Sequence, residues 1–281
     1  MPAYHYRLPA LLQDIRLLDL LEISGTTFEV SRVCGLSQPT VSRRTRALAA
    51  DFGLQLKQRR REGCSIASSA ALRFVRLGCR AHRLAAGVAR LGADGLLQPL
   101  LGQHPWLLPA PPRFRPMPNW LELVQQGVLD GALVWGLEGW SNGACPADGL
   151  ELLALPPQPL DLVMSAHQPT RLEPPPVLVP QPGVAPALHA ALVQRRLVLQ
   201  TAPSHWQLPS QWLQRLQRER IAMPCFRVKG EPPLLPLRRW PLPDPLHLPL
   251  WLVLPADWRQ QAVLRQTAAQ LGYRLPAAPQ G

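Results

Sequence analysis

Apolar residues recur at helical spacing near the start of the chain, at Leu11, Leu12, Ile15, Leu18, Leu20 and Leu21, and Gly25 follows as a C-cap. Thr26 and Thr27 offer N-cap hydroxyls for a short second helix that Gly35 stops. Ser37 caps a third helix, with Pro39 in its first turn, where the missing N–H costs nothing. Three helices joined by tight turns predict a helix-turn-helix. Leu54 to Ile66 then alternates roughly around Glu62-Gly63, the pattern of a small two-stranded wing. From Ser68 to Gly92 the spacing predicts one long helix, with Phe74, Leu77, Ala81, Leu84, Val88 and Leu91 at alternating steps of three and four. Such a narrow seam suits a two-helix coiled coil and assigns those six residues to dimerisation. Arg73, Arg76, Arg80, Arg83 and Arg90 lie off the seam. Gly78 and Gly87 each weaken an isolated helix by about 1 kcal/mol, so the seam needs a partner.

Projection of the third helix puts Val41, Thr45, Leu48 and Phe52 on one side and Pro39, Arg43, Arg46 and Ala50 on the other. Gln38, Thr40 and Ser42 flank the outer face close to the helix start, where amide, hydroxyl and guanidinium groups can meet base edges and phosphates in a major groove. A polar outer face alone would describe any surface helix. The basic wing changes the picture: Arg43, Arg44, Arg46, Lys57, Arg59, Arg60 and Arg61 stand against the single Asp51 between Ser37 and Arg61.

Charge and proline divide the chain in the same place. Residues 1–90 hold 15 basic against 6 acidic residues, most of the net +12 of all 281 residues. Thirty-one of the 34 prolines come later. A basic helical unit with the electrostatic footprint for phosphate therefore precedes a proline-punctuated one. The start of the chain has a short apolar run and no basic lead, which does not read as a secretory signal. The uncharged stretches Gly95–Pro112 and Pro174–Gln194 carry five and six prolines, which no membrane-spanning helix would tolerate. With five cysteines and no Cys-x-x-Cys pair, the expectation is a cytoplasmic protein with reduced thiols and no membrane partner.

Ser37-Gln38-Pro39-Thr40-Val41-Ser42, then Leu48, Phe52-Gly53, Leu56 and Arg59, resemble the LysR-type transcriptional regulators in order and spacing. The resemblance implies that Gln38, Pro39, Thr40, Arg43 and Arg59 contact DNA. With the outer-face and wing residues, the DNA-binding set is Ser37, Gln38, Pro39, Thr40, Ser42, Arg43, Arg46, Arg59, Arg60 and Arg61. The chain departs from the family at Thr27-Phe28, which reverses the usual order, and at Lys57, where phenylalanine is usual. Further on, Leu96 to Leu101 with His104-Pro105, Leu123 to Leu133 with its Gly127-Val128-Leu129-Asp130, and Leu152 to Pro169 resemble the family's effector region. The implied architecture is α/β overall: a winged helix-turn-helix over 1–67, a linker and dimerisation helix over 68–92, and over 93–281 a periplasmic-binding-protein-like effector domain of two subdomains. The implied partners are double-stranded DNA and further copies of the chain, as a dimer or tetramer. In the family the loop after the first effector strand usually brings a Ser or Thr to an anionic inducer; Asp94 stands here instead, which leaves a small-molecule effector uncertain.

Other chemistry is sparse. The seven histidines form no His-x-His or His-Glu-x-x-His, no cysteine sits at zinc spacing, and no Walker A, Gly-x-Gly-x-x-Gly or Gly-x-Ser-x-Gly run is present. The expectation is a regulator, not an enzyme, with no metal and no cofactor. Two alternatives are an interaction module whose degenerate effector domain binds a protein, and a nucleic-acid enzyme such as a recombinase carrying a winged helix. The second would need a metal-holding acidic cluster that the sequence lacks. The nine tryptophans are read chiefly as core.

Overall fold

The computed structural model describes residues 6, 7, 9, 12–54, 56–59, 63–66, 69–135, 148–168, 174–203, 209–226, 237–240, 242, 244 and 246–274. Helix α1 (Gln13–Ser24) ends at Gly25, whose φ of 73° is left-handed and whose N–H donates to the Leu21 carbonyl. Helix α2 (Thr27–Cys34) begins with the Thr26 hydroxyl accepting from Glu29 N–H, and α3 (Gln38–Asp51) with the Ser37 hydroxyl accepting from Thr40 N–H. The wing follows as antiparallel strands β1 (Leu56–Arg59) and β2 (Gly63–Ile66), with Arg59 opposite Gly63. Arg60, Arg61 and Glu62 lie outside the described residues.

The long helix expected through Gly92 is shorter. Helix α4 (Ala70–Ala85) starts at Ser69, whose hydroxyl accepts from Leu72 N–H, and is over before Gly87, which takes a φ of 72°. The chain then enters strand β3 (Leu91–Ala93), so Val88 and Leu91 are not helical. Two forces end the helix: the left-handed glycine, and the pairing of Leu91–Ala93 in parallel with Gly131–Leu133 of β4 (Gly131–Trp135).

The remainder is α/β. Helices α5 (Gln98–Leu101) and α6 (Met117–Gln125) separate β3 from β4. Two long strands, β5 (Leu150–Ser165) and β10 (Leu246–Pro255), run antiparallel through the centre of the sheet, whose order is β3-β4-β10-β5-β8, with β8 being Met223–Phe226. The first half of β5 pairs with the half of β10 that also holds β4, and its second half pairs with β8 and with β9 (Leu237–Trp240). Pro156 and Pro157 of β5 and Pro249 of β10 lie where the register of the two strands shifts, between Leu248 and Leu250. Proline has no N–H to give a ladder, so the irregularity falls where the donors are missing. At the far end, β6 (Val177–Val179) and β7 (Leu199–Thr201) pair in parallel beside α7 (Pro186–Gln194) and α8 (Pro209–Arg218). A 3-10 turn (Trp258–Gln260) and α9 (Ala262–Gln270) close the described chain.

One apolar cluster joins both ends of the sheet, including Leu133, Leu153, Leu162, Val179, Trp212, Leu252 and Trp258. Trp135 meets Phe226 at 5.7 Å and Phe114 stacks on Trp212 at 4.9 Å between ring centres. Of the tryptophans among the described residues, Trp120, Trp135, Trp212 and Trp258 are buried in the core, whereas Trp106, Trp240 and Trp251 are half-buried; Trp140 and Trp206 lie outside the described residues. A second cluster spans the two sequence regions. Leu17, Leu20, Leu21 and Ile23 of α1 and Val41 of α3 pack with Trp120, Leu121, Val124 and Val128. The opposite face of α1, Ile15 and Leu18, packs on Leu72 and Cys79 of α4. The α1 helix is thus enclosed on both sides, and each of its buried leucines contributes about 1.5–3 kcal/mol through lost apolar exposure.

Candidate nucleic-acid interface

The sequence of α3 divides its surface cleanly. Val41, Thr45 and Ala49 are buried, with the Thr45 hydroxyl turned back onto the Val41 carbonyl at 2.8 Å. Ser37, Gln38, Pro39, Arg43 and Arg46 are exposed, and Thr40 and Ser42 are half-buried beside them. The Ser37 hydroxyl lies 2.9 Å from that of Thr40, so the helix start presents hydroxyl, amide and guanidinium groups within two turns. Arg44 is different. Its Nε donates to Asp14 Oδ1 of α1 at 2.5 Å, so this arginine ties helices together and leaves the outward charge to Arg43 and Arg46. Phe28 of α2, the reversed position, is 56% exposed. The wing backbone, including Arg59, lies after α3 as the sequence pattern requires.

The dimerisation stripe splits in two. Phe74 is 72% exposed, Ala81 is exposed and Leu77 is half-buried. Leu84, Val88 and Leu91 are buried, with Leu84 and Leu91 inside the main core of the same chain. The exposed upper half borders a groove of about 330 Å³ lined by Leu77, Ala81 and Leu84 of α4 and by Leu150, Pro255 and Asp257. No helix among the described residues is long and apolar enough to cross a membrane.

The arginines off the seam are where sequence reasoning missed most. Arg76 is buried and gives Nε to Asp19 Oδ1 at 2.8 Å, Nη2 to Glu22 Oε2 at 2.5 Å and Nη1 to Gln126 Oε1 at 3.2 Å. Arg83 holds Asp130 with two bonds, Nε to Oδ2 at 3.0 Å and Nη2 to Oδ1 at 2.6 Å. Arg80 donates to the Val124 and Leu129 carbonyls. Burial pulls the Arg83 guanidinium down, but the Asp130 carboxylate outweighs it and leaves Arg83 above the usual arginine value. Burial and the neighbouring Arg83 push Arg90 down to about 10. Arginines at 76, 80 and 83 share a helix face, and Asp19 and Glu22 lie three apart inside an apolar helix; that complementarity was the available signal.

Asp94, at the end of β3, is fully buried. Its Oδ1 accepts from Leu96 N–H at 2.8 Å and Leu97 N–H at 2.9 Å, and its Oδ2 from Trp135 Nε1 at 2.6 Å. Burial pushes this carboxyl up to about 6 against the pull of those three donors.

No family model matches the sequence, and no curated protein matches it. Solved structures do. The LysR family transcriptional regulator CbnR is 13% identical, covers 93% of this chain and 98% of its own, and gives a TM-score of 0.48. A full-length OxyR variant from Pseudomonas aeruginosa is 12% identical with 92% and 97% covered and a TM-score of 0.46. Full-length LysG from Corynebacterium glutamicum, with bound effector Arg, is 16% identical with 94% and 99% covered and a TM-score of 0.44. The chain is similar to LysR-family transcriptional regulators. The Leu96 and Leu97 N–H groups just after β3 are engaged by the chain's own Asp94.

Proposed function

We propose that this protein is a sequence-specific DNA-binding transcriptional regulator of LysR type, acting as a dimer or higher oligomer. The supporting observation is α3: Ser37, Gln38, Pro39, Arg43 and Arg46 are exposed on one side while Val41, Thr45 and Ala49 anchor the other in the core. A helix of this kind enters a major groove with its first turns toward the base edges, and the wing supplies backbone contacts through Arg59, Arg60 and Arg61. Asp94 occupies the donors beside β3, so a small carboxylate is a poor effector for this site.

Titrating the full-length chain against duplexes selected from a random pool tests the reading. The logarithm of affinity should fall linearly with the logarithm of salt, by about 0.9 per phosphate contacted, and Arg59→Ala should reduce that slope by about 1. Gln38→Ala and Arg43→Ala should each relax preference at one defined half-site position, at a cost of about 1–3 kcal/mol. Uniformly weaker binding with unchanged preference would make both residues phosphate anchors, and no duplex binding at low salt would overturn the function.

The dimer surface is the exposed half of the α4 stripe. Phe74→Asp should shift sedimentation from dimer to monomer while the chain stays folded, because Phe74 is exposed in the single chain, and its melting temperature should lose the dependence on protein concentration that a dimer confers. Leu84→Asp should instead unfold the protein, since Leu84 belongs to its own core. An intact Phe74→Asp dimer would place the interface elsewhere.

A further inference from the structure

A helix-turn-helix attached through a flexible joint can reorient to suit its site, whereas one built into a larger body cannot. Here α1 is built in. Its leucines share a core with α6, and Arg76 of α4 grips its Asp19 and Glu22. The end of α1 is held as well. Arg113 Nη1 donates to the Ser24 carbonyl at 2.6 Å, and Arg115 Nη2 donates to the Ile23 carbonyl at 2.7 Å and to that of Glu22. These are carbonyls that a helix leaves unpaired at its C-terminus, and two cations there also complement the helix dipole. Gly25 is what lets the clamp close, because a Cβ at that position would lie 1.3 Å from Arg113 Nη1. On the other side, α4 passes so near Gly127 that a Cβ there would come within 3.1 Å of the Arg76 carbonyl carbon.

We propose that this arginine clamp makes α3 a fixed projection of the α/β body, so that Arg115, with Arg113 and Gly25, is a positioning element that sets which half-site spacing the oligomer accepts. The proposal rests on the DNA-binding reading above and adds a specificity that no base contact supplies. In a two-fold assembly of rigid protomers, the distance and rotation between the two recognition helices are set by protein geometry. Moving the second half-site by two base pairs rotates it by about 70° around the duplex, which rigid protomers cannot follow. Protomers with a loosened α1 can.

The experiment uses the full chain, Arg115→Ala and Gly25→Ala. Each binds duplexes carrying one selected half-site, and duplexes carrying two whose separation changes one base pair at a time through a full turn. The wild type should prefer one spacing over those two base pairs away by about tenfold or more, since avidity is lost when both sites cannot engage. Both variants should flatten that preference while keeping the wild-type affinity for a single half-site. A wild type indifferent to spacing, or variants with its spacing profile, would overturn the proposal. Absence of binding to any half-site would overturn the DNA-binding reading itself, and the proposal with it. Hydrogen exchange of the free protein gives a reading independent of DNA: α1 amides should be protected as strongly as those of β4 and β10, and faster in Gly25→Ala. Faster exchange of α1 than of β4 in the wild type would also overturn the clamp.

Discussion

Asp130→Ala should cost about 3–5 kcal/mol, a large share of the roughly 5–15 kcal/mol that holds a typical domain folded. Asp130 is wholly buried just before β4 and accepts from Arg83 twice and from Arg90 N–H at 2.7 Å, with Arg80 Nε 3.6 Å away. The penalty comes chiefly from what is left behind, two buried guanidinium groups without their carboxylate, and only partly from the lost attraction. Chemical denaturation of the single and double variants separates the two. If the stranded charge dominates, Arg83→Met added to Asp130→Ala should recover part of the loss, because a methionine of similar length fills the site without needing an anion. Additive losses would show that the pair is held by packing rather than charge.

The same arginines mark the boundary of what could be read from the chain. Local rules were sufficient for the N-terminal helices: Gly25 and Gly35 stop them, and Thr26 and Ser37 cap them, because each choice depends on neighbours within four residues. The outer face of α3 was legible for the same reason. The long helix was not, since its periodicity continues past Ala85 while Leu91–Ala93 is claimed by a strand partner 40 residues away, a non-local contact that outweighs helical spacing. Arg76, Arg80 and Arg83 could be placed only off the seam, because arginine is mostly exposed and their burial depends on Asp19, Glu22 and Asp130 being set against α4 by the fold. Their burial also changes the meaning of the apolar stripe. With the charged side turned inward, Phe74 and Ala81 are left facing out.

Asp94 should make stability fall as pH rises from about 4 to about 6, and Asp94→Asn should remove that fall. The sign follows from proton binding. In the unfolded chain the carboxyl titrates at its ordinary value near 3.9, whereas burial in the folded protein pushes it up to about 6. Between those values the folded state holds the extra proton, so its contribution is fully present below about pH 4 and is lost as pH rises through about 6. A shift of that size corresponds to roughly 3 kcal/mol, by which burial outweighs the three N–H donors around Asp94. Other carboxyls titrate in the same range, so the quantity to follow is the difference in unfolding free energy between Asp94→Asn and wild type at each pH. That difference should move in favour of the variant by about 3 kcal/mol between pH 4 and pH 7, whatever its starting value, because asparagine carries no charge to bury. A difference that stays flat would mean that the Leu96, Leu97 and Trp135 donors hold the carboxylate as well as water does, and one moving in favour of wild type would mean that they hold it better.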